Sequence, residues 1–427
     1  MPRFRLILPA ALAVLALALP AAASAAPTVG VTIDGPGINA ATSIKELDLA
    51  VKLHMKVVRV EILWNLLEPT AHGHYDPTVL AATDQFFAAA AQRHLKVLVI
   101  MDSTPCWASS APSNLVNGCR KLTLAGGYAS WPPSDPKDFA NVAAFVAARY
   151  KPQLEAFEVW NEPDQANQIY WAGPNKPQRY AALLRATYPA IKAVAPNLPV
   201  LGGALVGWNG VFLKQLYAAG IKGYYDGLSV HYYNLVLADL RVIHQTQLAH
   251  GDTKPLWLGE FGWSSCAPLK QQDGGQYCVT PKIEAQDLVD IIRATRKTPY
   301  IKEMYVYNMA DSAQYSLGLV DRNGNAKPAF AAVQHQLGAR IPPPVRATRV
   351  SLRVSHGQAV LSGGGPAGDF YALNVYKDGV LRLVATVQLK LNNTFSYKLP
   401  SALGSKGLKI TFYQLWQGKK HTITRTL

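Results

Sequence analysis

The chain is poor in acids and in cysteine, and each shortage excludes something. Among 427 residues it has 27 Asp or Glu against 42 Lys or Arg, and only four cysteines. No Cys-x-x-Cys pair and no paired His spacing occurs, so nothing supports a zinc site. His72-Gly73-His74 resembles a metal pair only superficially, because no carboxylate cluster completes it. After the first strand the chain reads Asp34-Gly35-Pro36-Gly37-Ile38-Asn39 and has no G-x-G-x-x-G, which argues against nucleotide binding. There is no serine nucleophile elbow, no internal repeat and no low-complexity tract. Beyond the N-terminus no run is long and apolar enough to span a bilayer.

What is present begins with Arg3 and Arg5, an apolar run from Leu6 to Leu19, and Ala23-Ser24-Ala25. Positive start, short apolar stretch and small-residue cleavage site make residues 1–25 read as a secretory signal peptide. The expected mature protein is soluble and exported. Four cysteines suit such an oxidising compartment and allow three connectivities. Local pairing, Cys106 with Cys119 and Cys266 with Cys278, is the expectation.

Eight short β-branched or aromatic runs recur at 28–33, 56–61, 95–101, 154–160, 198–204, 225–231, 254–260 and 303–308. Amphipathic stretches at 84–94, 136–150, 178–194, 211–219 and 283–295 lie between them. Strands alternating with helices imply a parallel sheet, and a count of eight predicts an α/β fold, a (β/α)₈ barrel over residues 26–341. The site is then expected at the C-terminal ends of the strands. A proline triplet at 342–344 ends the last helix and makes a stiff spacer. From 345 to 427 the pattern changes to short alternating strands separated by turns, which reads as a small antiparallel β-sandwich. That segment carries 12 Lys or Arg against two acids, most of the excess positive charge of the chain. An anionic cell-surface polymer is a candidate partner for it. Nucleic acid is not, since no recognition motif is visible.

Two of the strand runs end on glutamate, in Trp160-Asn161-Glu162-Pro163-Asp164 and Leu258-Gly259-Glu260-Phe261-Gly262-Trp263. An unpaired carboxylate beside a core is costly, so two at strand ends suggest a converging catalytic pair. One carboxyl to protonate a leaving oxygen and another to attack a sugar carbon, or to activate water, is the equipment of glycoside hydrolysis. Alternation along the fourth strand places Glu158, Trp160 and Glu162 on one face and Phe157 and Val159 on the other. Trp107, Trp131, Trp171, Trp208 and Trp263 follow strand ends on the expected catalytic face, where flat rings suit the apolar faces of sugars.

The run Phe157-Glu158-Val159-Trp160-Asn161-Glu162-Pro163, with Glu260 on the seventh strand, resembles glycoside hydrolase clan A, and within it families 39 and 5 most. Arg59, Trp64 with Glu68-Pro69, and His231 with Tyr233 extend the resemblance across the barrel. It implies a retaining mechanism with Glu162 as acid/base and Glu260 as nucleophile, no metal and no cofactor. Arg59, Asn161, His231, Tyr233, Trp263 and Tyr307 are the expected substrate-binding residues. The clan commonly floors the reactive subsite with a tryptophan of the eighth strand; here Tyr305, Tyr307 and Asn308 stand there instead, which leaves the sugar open. Two alternatives remain: a transglycosylase using the same residues, or a non-catalytic carbohydrate or cell-surface binder on a barrel scaffold.

Overall fold

The computed structural model describes residues 26–117, 127–234, 237–266, 272–273, 276–296, 298–338, 349–364, 370–388, 394–416 and 419–427. The expected signal segment, Cys119 and the proline spacer lie outside the described residues. Eight strands form the barrel: β1 (Thr28–Ile33), β2 (Val57–Leu63), β3 (Lys96–Asp102), β4 (Leu154–Val159), β5 (Val200–Leu205), β6 (Gly227–His231), β7 (Leu256–Phe261) and β8 (Ile301–Val306). Each pairs in parallel with its sequence neighbour, and β8 pairs with β1 to close the ring.

Alternation explains the packing. Val97, Val99, Phe157 and Val159 point outward into the layer between barrel and helices. Val57, Leu98, Ala156, Leu201, Trp257 and Tyr305 point inward and plug the barrel interior. The plug is a packed core rather than a pore, and it leaves the opposite rim for chemistry.

Several helices start where the sequence supplies a cap. Asp76 accepts from the amides of Thr78 and Val79 and opens the helix Pro77–Gln92, seven residues before the expected start at Asp84. Asp135 caps Pro136–Tyr150 and Thr280 caps Pro281–Thr295, each with proline in the first turn. Helices Pro36–Lys52 and Ala238–Ala249 have no counterpart in the sequence expectation.

The C-terminal segment is the expected antiparallel sandwich. One sheet holds Arg349–Ser355, Gln358–Gly364 and Thr394–Lys398; the other holds Phe370–Lys377, Val380–Gln388, Leu408–Trp416 and Lys419–Thr426. Leu361 and Phe395 from the first meet Leu373, Val375 and Ile410 from the second in a core of their own. No helix among the described residues is long and apolar enough to cross a membrane.

Candidate active site

Arg59 enters the barrel from β2, one turn of the pleat above Val57. Its Nε donates to Glu158 at 2.8 Å and its Nη1 to Glu260 at 2.8 Å. Arg59 is 2% exposed, so the two carboxylates supply the charge that burial of its guanidinium requires. Room for this comes from Gly259, where a Cβ would lie 2.5 Å from Ser229 Oγ and 3.0 Å from Glu158 Oε1.

Glu260 sits on β7, next to Gly259 and buried at the rim. One oxygen takes the Arg59 bond and the other accepts from the Tyr233 hydroxyl at 2.6 Å. Burial alone pushes this carboxyl up. The charges on His231 and Arg59 and the Tyr233 bond outweigh it and hold Glu260 below the ordinary carboxylate range.

Glu162 reaches the same space by a different route. β4 ends at Val159, and Trp160 then takes φ 68° and Glu162 φ 42°, a region that side-chain-bearing residues rarely adopt. Trp160 consequently does not share a face with Glu158 and Glu162, as simple alternation requires. It turns into the outer layer against Phe139 and Trp171, its indole N–H on the Tyr170 carbonyl at 2.8 Å. Glu162 is left at the mouth, 7% exposed. Its Oε1 lies 2.7 Å from His231 Nδ1, and its Oε2 accepts from the Gln165 amide. Burial raises its pKa; the contact with His231 opposes that, and the Glu260 charge adds to it. Two carboxyl groups in one pocket are thus driven in opposite directions.

His231, fully buried on β6, joins them. Its Nδ1 is also 3.3 Å from Glu260 Oε2. Burial lowers its pKa, but the facing carboxylates win and the net direction is up. One atom from each of Glu162, His231 and Glu260 all lie within 4.8 Å of one another, the one group among the described residues with the spacing of metal ligands. Both Glu260 oxygens already accept from Arg59 and Tyr233, and the adjacent guanidinium supplies positive charge, so this set is engaged with protons rather than shaped as a cation cradle.

Of the other expected binding residues, Asn161 is 7% exposed and its Oδ1 has no protein partner. Tyr307 packs edge-on to Tyr233 at 6.4 Å, within reach of the Glu260 charge. Trp263 follows β7 and is 9% exposed. Trp171 is fully buried in the layer outside the barrel wall, which removes it from the expected row of sugar-stacking rings. Trp107 and Trp208 spend their indole N–H groups on the carbonyls of Glu68 and His231, at 2.9 Å each. Glu68 in turn accepts from Trp64 at 2.6 Å, so the Trp64 to Pro69 turn is braced internally.

Two groups at the mouth, Asp102 and Tyr170, were not anticipated. Glu61 and Asp102 face each other on β2 and β3; burial pushes both up, Asp102 to about 6. Period-two reading puts Glu61 on the same side as Arg59, which was the available signal. Tyr170, whose pKa burial and the neighbouring carboxylates raise, comes from the loop after β4, where no periodicity exists to read.

The reaction class that this arrangement defines is glycoside cleavage, on a clan A barrel. Residues 35–294 match the cellulase family model (glycosyl hydrolase family 5), more than half of the chain, and the chain belongs to that family. Among solved structures, a family 39 glycoside hydrolase from the gut symbiont Bacteroides cellulosilyticus WH2 is 18% identical, with TM-score 0.56, covering 88% of this chain and 81% of that one. The GH39 enzyme from Xanthomonas axonopodis pv. citri is 16% identical, with TM-score 0.57, covering 88% and 93%. A monomeric beta-xylosidase from Caulobacter crescentus CB15 is 15% identical, with TM-score 0.57, covering 88% and 95%. At these identities the structures establish a common fold. No curated protein matches the chain in sequence.

The Cys266–Cys278 disulfide is present, with Cα atoms 5.0 Å apart, and ties the loop after β7. The expected pairing of Cys106 with Cys119 falls on Cys119, outside the described residues.

Proposed function

We propose that the protein is a secreted, retaining glycoside hydrolase that cleaves O-glycosidic bonds of a poly- or oligosaccharide through a covalent glycosyl-enzyme. The observation that carries this is the Glu162–His231–Glu260 constellation, in which one atom of each lies within 4.8 Å of the others and one carboxyl is pushed up while the other is held down. Retaining pairs stand about 5–5.5 Å apart and inverting pairs about 6.5–9.5 Å, because an inverting enzyme must fit a water between.

In the first step protonated Glu162 gives its proton to the leaving oxygen as the glycosidic C–O bond breaks. Ionised Glu260 forms a bond to the anomeric carbon. In the second, Glu162, now a carboxylate, takes a proton from water, which displaces Glu260 and restores both groups. Arg59 and Tyr233 hold the nucleophile charged, and Asn161 offers a partner for a sugar hydroxyl that strengthens as charge develops. The N-terminal 25 residues support export, and the paired Cys266 and Cys278 are consistent with an oxidising compartment.

The test is a polysaccharide panel followed by product analysis. Proton NMR of the first-formed anomer should show retention. Glu260→Gln should abolish turnover, and Glu162→Ala should lose it on natural glycosides yet recover with azide on substrates carrying good leaving groups. Inversion, or unchanged activity in either variant, rejects the mechanism. Products lengthened by an added sugar acceptor would identify a transglycosylase instead.

The sandwich is proposed to hold the enzyme on an anionic surface polymer. Arg353, Lys398, Lys406 and Lys409 are exposed on it. Retention of the full chain on an acidic polysaccharide should fall steeply with salt, as the Debye length drops below about 10 Å. Reversing those four residues to glutamate should remove it; undiminished retention would reject the idea.

A further inference from the structure

The β4–β5 ladder is short: Phe157 pairs with Val200 and Glu158 with Leu201, and there it ends. Beyond that point side chains replace the main-chain bonds. The buried Tyr180 hydroxyl, from helix Lys176–Val194, donates to the Val159 carbonyl at 2.7 Å and accepts from the Gly203 amide at 2.8 Å. One step further out, the Asp164 carboxylate accepts from two successive amides just past β5, Val206 at 3.1 Å and Gly207 at 2.7 Å. Between these braces lies the turn that carries Glu162, closed by the Gln165 amide on the Glu162 carbonyl at 3.2 Å and by Lys176 on the Gln165 carbonyl. Gly207 is fitted to the contact, since a Cβ there would lie 2.9 Å from the Asp164 oxygen.

We propose that Asp164 is a positioning residue for Glu162: it locks the turn carrying the acid to the end of β5 and fixes a negative charge behind it. The inference rests on the acid/base reading of Glu162. Burial pushes the Asp164 carboxyl up, and its two amide donors oppose that and favour the charged form. That charge disfavours a second one on Glu162, as the Glu260 carboxylate does from β7, while His231 from β6 pulls the other way. Asp164 itself is faced by His231, Lys176 and the Tyr180 hydroxyl. The braces fix the place of Glu162, and Asp164 helps to keep it protonated, the form that the first step consumes.

The experiment needs no substrate. The full chain, with ¹³C-carboxyl glutamate, is titrated by NMR, and Glu162→Gln identifies the Glu162 resonance by its disappearance. Asp164→Asn keeps the size of the side chain but removes the charge and, because an NH2 cannot accept, one of the two amide bonds. The Glu162 midpoint should then fall by on the order of half a pH unit. Gly207→Ala leaves every charge in place but pushes the carboxylate away, and should give a smaller shift in the same direction; it decides the matter if Asp164→Asn does not fold. A Glu162 midpoint that stays put or rises in a folded variant overturns the proposal. A protein that cleaves no glycoside, or a Glu162→Gln variant that remains active, would instead refute the function while leaving this titration result standing.

Discussion

Arg59 shows how one side chain binds fold to chemistry. It neutralises Glu158 deep in the barrel and Glu260 at the rim, at 2.8 Å each. Removing one partner of a buried ion pair leaves the other charge without compensation, at a cost of about 3–5 kcal/mol. Arg59→Met is therefore expected to melt well below wild type by calorimetry. Arg59→Lys, with a single point charge, cannot serve both carboxylates in the same way and should keep only part of the stability. Because the folded pKa of Glu260 is depressed, its stabilising contribution is present above the unfolded carboxylate pKa. It is lost as pH falls through the folded one. Without the guanidinium that depression shrinks, and the acidic limb of kcat/KM should move up by about one pH unit. An acidic limb that stays in place in a folded Arg59→Met variant would mean that Arg59 does not hold Glu260 ionised.

The elements were legible wherever periodicity governs. All eight barrel runs became strands, displaced by two residues or fewer at either end, and β1 and the helix Pro136–Tyr150 kept both ends. Side-chain alternation correctly sent Phe157 and Val159 outward, because a parallel barrel strand is buried on both faces. It failed one residue past the strand. Trp160 leaves the β region, and what aims Glu162 is a pair of positive φ values braced by Tyr180 and Asp164, which no period in the sequence encodes. The same limit hid Tyr170 and left Trp171 on the wrong side of the wall. Asn-Glu-Pro drew attention to Glu162, but the neighbours that tune it came from long-range packing. Helices 36–52 and 238–249 escaped notice; the first is interrupted near its start at Asn39, which takes φ −152°.

At the scale of the molecule, charge is divided between two bodies of different construction. The basic excess belongs to a sandwich with a small core, whereas the barrel buries acids. Glu303 is 3% exposed under the barrel plug, where burial and the Glu155 charge push it to about 8 against the pull of the Tyr305 hydroxyl at 2.6 Å. Burial and Asp34 likewise raise Glu46 to about 8. Both bind a proton in the folded chain through a pH range where the unfolded chain has released it. Stability from these two groups is thus full below the unfolded value of about 4.5 and is lost as pH climbs towards about 8. Glu260 and Asp84, with depressed pKa values, lose theirs in the other direction, as pH falls below the ordinary carboxylate range. The two slopes meet near the unfolded carboxylate pKa and place the maximum of the melting temperature at about pH 4–5, well on the acidic side of neutrality. Glu303→Gln should flatten the alkaline side, because an amide oxygen still accepts from Tyr305 and no longer has to remain protonated. Melting curves from pH 5 to pH 8.5 should show the variant close to wild type at the low end and more stable at the high end. A variant that melts below wild type at pH 8.5 would mean that Glu303 is ionised in the fold and that its negative charge stabilises the barrel.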